Sequence, residues 1–65
     1  MITVREVLTR LHEDGWLIVR QRGSHRQLRH PLKAGTVTVA GHPGDSLRPG
    51  TCRAILKQAQ IKDPS

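Results

Sequence analysis

The chain has 65 residues and one aromatic, Trp16, so it is read as one domain, 1–65, with an ordered core of about 3–61 built from Val, Leu and Ile. Its single cysteine excludes an internal disulfide or a Cys-rich zinc framework, and no apolar run nears the roughly 18 residues of a membrane span, which points to the cytoplasm. Eleven Lys and Arg against five Asp and Glu leave a formal charge of +6, a balance suited to phosphate polymers or acidic protein surfaces.

Thr3-Val4-Arg5-Glu6 fits a capping box, in which the Thr3 hydroxyl accepts from a free helix N–H and Glu6 reaches back to the cap. Val4, Val7, Leu8 and Leu11 then recur at i, i+3, i+4 and i+7, which predicts a helix over 3–14 that Gly15 ends in a left-handed conformation. Trp16 to Arg22 is rich in β-formers, and Trp16 is expected to staple the helix to the sheet. Gly23-Ser24 suits a two-residue hairpin turn. A second strand runs from His25 to His30, where Pro31 stops it. Thr36 to Val39 alternates, with Val37 and Val39 on one side and the threonines on the other.

Gly41 to Asp45 reads as loop. Pro49 suits a first helical turn, and Cys52, Ile55, Leu56 and Ala59 repeat the helical stripe, predicting a helix over about 49–60 and a frayed tail from Lys62 to Ser65. The order is α-β-β-β-α: an α+β fold with a three-stranded antiparallel sheet and two helices on one face. The other sheet face is left open.

Charge is concentrated. No acidic residue occurs from Gly15 to Gly44, yet Arg20, Arg22, Arg26, Arg29 and Lys33 all lie there, on the first hairpin and the turn after it. Alternation puts Arg20 and Arg22 in phase, opposite Leu17 and Val19. Two uses fit these cations: protecting a strand edge from pairing, or binding a polyanion. With four or five phosphate contacts, affinity for single-stranded RNA would fall with salt at a log–log slope of roughly −3.

His25 lies in Gly23-Ser24-His25-Arg26. An imidazole among arginines can accept a proton while the cations hold a phosphate beside it, the combination that RNA transesterification through the 2′-OH requires. An exposed turn histidine can equally be merely solvated. His30 offers a second acid/base, a phosphate ligand, or a packing partner for Leu28. His12 reads as a surface residue, and His42 as a loop histidine. No metal site is expected: His25 and His30 fall on opposite faces of a strand, without a carboxylate to complete a ligand set. Cys52 reads as a small buried hydrophobe.

Asp14-Gly15-Trp16, Val19-Arg20-Gln21-Arg22-Gly23-Ser24-His25, His30-Pro31, Gly35-Thr36-Val37-Thr38-Val39, His42-Pro43 and Gly50-Thr51-Cys52-Arg53-Ala54-Ile55-Leu56-Lys57-Gln58-Ala59 together resemble the HicA family of toxins, over roughly residues 3–61. The resemblance implies a double-stranded-RNA-binding-domain-like fold and an mRNA interferase, the toxin of a toxin–antitoxin pair, that works without cofactor or metal. It also implies a HicB-like antitoxin, expected to cover the basic hairpin and His25. The family's catalytic histidine maps onto His25. Arg20, Arg22, Ser24, Arg26, Arg29 and Lys33 are the expected RNA or phosphate contacts. Two positions depart from the pattern: Leu28 stands where the family often has an aromatic, and Ala40 where proline is common. The alternatives are a non-catalytic RNA-binding module of the same fold, or an inactive homologue that only binds its antitoxin.

Overall fold

The structure, a computed structural model, describes residues 2–61; Met1 and the tail from Lys62 to Ser65 lie outside the described residues. Its order is α1 (Val4–Asp14), β1 (Leu17–Arg22), β2 (His25–Arg29), β3 (Thr36–Ala40) and α2 (Pro49–Gln58). The strands form one antiparallel sheet in the order β1-β2-β3, and the whole is an α+β fold of the double-stranded-RNA-binding-domain-like kind.

The predicted caps form. Thr3 Oγ1 accepts from the Glu6 N–H at 3.2 Å, while the carbonyls of Asp45 and Pro43 take the N–H groups of Val4 and Arg5. The loop after β3 thereby satisfies helix donors that no side chain reaches. The return bond expected from Glu6 is not made. Gly15 ends α1 at φ +107°, its N–H donating to the His12 carbonyl, and Trp16 N–H reaches the Leu11 carbonyl. Pro49 opens α2 as predicted, but the helix stops at Gln58 rather than 60.

Val4, Val7 and Leu11 of α1 meet Trp16, Leu28, Val37 and Val39 of the sheet side, Cys52, Ile55 and Leu56 of α2 and Ala59 just past its end in one buried cluster. Trp16 is fully buried, so it serves packing. Both helices lie closest to β3. The opposite edge strand, β1, is therefore uncovered, and Leu17, Ile18 and Val19 remain about half exposed.

The phase expected for β1 is corrected by a β-bulge. Leu17 and Ile18 pair with Arg29 and Leu28, but Arg20, Gln21 and Arg22 pair with Gln27, Arg26 and His25, leaving Val19 as the extra residue. The bulge shifts alternation by one position. Leu17 thus shares the outer face with Arg20 and Arg22 instead of opposing them, and Ile18 and Gln21 turn toward the helices.

Candidate nucleic-acid interface and histidine site

The helices cover one side of the sheet and leave the other to three cross-strand rows. At the turn end, Arg22, His25 and Ala40 stand side by side; next come Arg20, Gln27 and Thr38; then Leu17, Arg29 and Thr36. Arg20, Arg22, His25, Gln27 and Thr38 line an open concavity of about 370 Å³. Ala40, the partner of His25 on β3, has only a methyl side chain. His25 itself is exposed.

The hairpin turn positions this histidine. Gly23 takes φ +59° while Ser24 keeps a negative φ, as the first and second central residues of a two-residue hairpin do when glycine leads. The Ser24 carbonyl accepts from Gly41 N–H at 3.1 Å and from Arg26 Nη1 at 3.2 Å. Arg26 Nη1 also donates to the Gly41 carbonyl at 2.8 Å. The turn carrying His25 is therefore tied to the end of β3 by a guanidinium from beneath.

Arg26 is consequently not on the expected surface. It is 7% exposed, in phase with Leu28 on the helix side, because β2 alternates and His25, Gln27 and Arg29 hold the outer positions. Lys33 is also taken up elsewhere: its Nζ donates to Asp14 Oδ2 at 2.6 Å and to the carbonyls of Ala59 and Gln60 at 3.3 and 3.1 Å. That ammonium holds the Asp14 carboxyl below its usual range, chiefly by the hydrogen bond. Of the residues singled out in the sequence, Arg20, Arg22 and His25 come together in the concavity. Ser24 flanks it in the turn, and Arg29 extends the same face two positions beyond Gln27 on β2.

His30 packs inside. Its Nε2 lies 2.7 Å from the Asp14 carbonyl and its Nδ1 accepts from the N–H groups of Leu32 and Lys33 at 3.0 Å each. This assigns the proton to Nε2. The ring meets Trp16 edge-on, with centroids 5.4 Å apart. Both nitrogens are engaged on the far side of the sheet from His25. Gln27 and Thr38 were missed by sequence reading; the alternation of β2 and β3 could have placed them on the open face. Among the described residues no three His, Cys, Asp or Glu side chains are grouped to hold a metal ion, and no helix is long and apolar enough to cross a membrane.

Fold and face together define a small α+β domain whose uncovered sheet carries arginines around one accessible imidazole. The chain belongs to the HicA toxin family: the family model described as HicA toxin of bacterial toxin-antitoxin matches residues 4–61. It is thus the toxin of a toxin–antitoxin system, with an antitoxin as its partner. No curated protein is similar enough to count as a match. The family's often aromatic position, here Leu28, is buried against the helices and faces away from the open surface.

Proposed function

We propose that this toxin is an endoribonuclease that cuts messenger RNA by metal-independent transesterification, with His25 as its general base. The observation carrying the reading is an accessible imidazole held between Arg22 and Ala40, with Arg20 in the next row, inside one concavity. The arginines receive the scissile phosphate and, with the Ser24 hydroxyl, offset charge building on its oxygens. His25 removes the proton from the 2′-OH; the 2′-oxygen forms a bond to phosphorus, and the bond from phosphorus to the 5′-oxygen breaks. The products are a 2′,3′-cyclic phosphate and a 5′-hydroxyl. His30 is occupied with backbone partners, and neither His12 nor His42 lines the concavity. The departing 5′-oxygen therefore takes its proton from water at this open face.

A HicB-like antitoxin silences the toxin on this reading by laying acidic side chains over Arg20, Arg22 and Arg29 and burying His25. The half-exposed Leu17, Ile18 and Val19 beside these cations supply the apolar part of that contact.

The test is cleavage of a labelled single-stranded RNA in EDTA by folded wild type and His25→Ala. Cutting by wild type, slowed about 10²–10⁴-fold in His25→Ala, is the expected result. Equal cutting by both would move the base elsewhere, and a 5′-phosphate product would refute the transesterification route.

A further inference from the structure

Nucleobase recognition on single-stranded RNA usually relies on aromatic stacking. Among the described residues the open face carries one ring, the His25 imidazole, which the proposed base chemistry already engages. Trp16 is the sole aromatic of the sequence, and it is fully buried. With that imidazole at the turn-end row, discrimination among bases over the rest of the sheet falls to hydrogen bonds and to the flat faces of guanidinium groups.

The middle row has the groups for this. Gln27 stands at the centre of the central strand, between Arg20 and Thr38, and forms part of the wall of the concavity shared with His25. Neither the Gln27 amide nor the Thr38 hydroxyl makes a hydrogen bond with another described residue. A central strand position facing outward is usually filled by a β-branched or aromatic residue, and glutamine there forgoes that gain. Two residues along a strand span roughly 6.6 Å. A phosphate seated at the turn-end row thus leaves the attached nucleoside over the middle row, where one acceptor and two donors on Gln27 are open to it.

We infer that Gln27, with Thr38 beside it, forms a nucleobase subsite that makes the toxin's action base-selective, and that the base it selects is adenine. A carboxamide presents an acceptor and a donor side by side, which match the N6 amino group of an unpaired adenine together with either neighbouring ring nitrogen, N7 or N1, so adenine can pair from two edges where cytosine can from one. Arg20, on the other flank, supplies a guanidinium plane over which the ring can lie. The inference rests on the reading of this face as the RNA-binding surface.

Two measurements test it and separate its failure from that of the catalytic reading. The first maps cleavage ends in a random-sequence RNA pool for wild type and Gln27→Ala. Wild type should enrich adenine at one fixed position beside the cut, and Gln27→Ala should lose about ten- to a hundredfold of that preference while still cutting the pool. An unchanged adenine preference in Gln27→Ala, or none in wild type, overturns the subsite even if His25 proves essential. The second uses His25→Ala, with and without Gln27→Ala, and four fluorescent pentauridylates bearing adenine, guanine, cytosine or uracil at the centre. Tighter binding of the adenine probe that disappears with Gln27→Ala supports the subsite, whether or not wild type cleaves RNA. Equal affinity for all four probes overturns it. Gln27 is exposed, so an unchanged melting curve is expected for Gln27→Ala and guards against misfolding as the cause.

Discussion

Gly15 does two things at once, and they can be separated by experiment. Its φ of +107° is strained for any residue with a Cβ, and a Cβ built there would lie 2.7 Å from His30 Nε2. That same nitrogen makes the hydrogen bond to the Asp14 carbonyl. Gly15→Ala is expected to cost about 2–3 kcal/mol, from left-handed strain of ~1–2 kcal/mol and from displacing the imidazole from a bond worth ~1 kcal/mol. In a His30→Ala background the ring is gone, and the cost should fall to the strain alone. Urea unfolding of the four proteins in a double-mutant cycle measures this. A cost that is the same in both backgrounds would show that the two residues do not meet. The helix-ending role of Gly15 was legible from the apolar stripe before it. Its closeness to His30 was not, because that contact joins residues fifteen apart through the packing of a sheet against a helix end.

Three elements converge at the other end of this contact. Lys33, from the loop between β2 and β3, reaches the carboxylate at the end of α1 and two carbonyls just past α2. The Asp14 carboxyl is lowered below its ordinary value of 3.8, mainly by the Lys33 hydrogen bond. A lowered folded-state pKa means that the tie contributes fully above the unfolded value and is lost as pH falls through the folded one. The stability difference between wild type and Asp14→Asn should therefore be constant from pH 7 to about pH 5 and shrink below about pH 4. Urea midpoints across that range check it, and a difference that persists undiminished at pH 2.5 would remove Asp14 from the account. Element order and both helix stripes were readable because amphipathic spacing repeats locally. The bulge at Val19 was not, since nothing in Leu17-Ile18-Val19-Arg20 says which residue lacks a partner. The fates of Arg26 and Lys33 were hidden for a related reason. Sequence counts cations, whereas strand phase and loop path decide which of them face solvent and which are consumed by carbonyls.

For the whole molecule this sorting changes a number. The acid-free window suggests four or five phosphate contacts and a salt slope of roughly −3. With Arg26 beneath the hairpin and Lys33 bound to Asp14, the arginines left on the open face of the sheet are Arg20, Arg22 and Arg29. Three contacts at about 0.7 counterion each predict a log–log slope of about −2 for single-stranded RNA. Fluorescence anisotropy of His25→Ala with a short labelled RNA, from 50 to 300 mM salt, measures it without cleavage of the probe. Arg29→Ala should flatten the slope by about 0.7, and Lys33→Ala should weaken the fold while leaving the slope alone. The two variants carry the same change in net charge, so overall attraction would treat them alike. A slope that responds equally to both would mean that the +6 of the whole chain, rather than the arginines of the open face, draws the RNA in. A response confined to Arg29 would locate the binding on the sheet face beside His25.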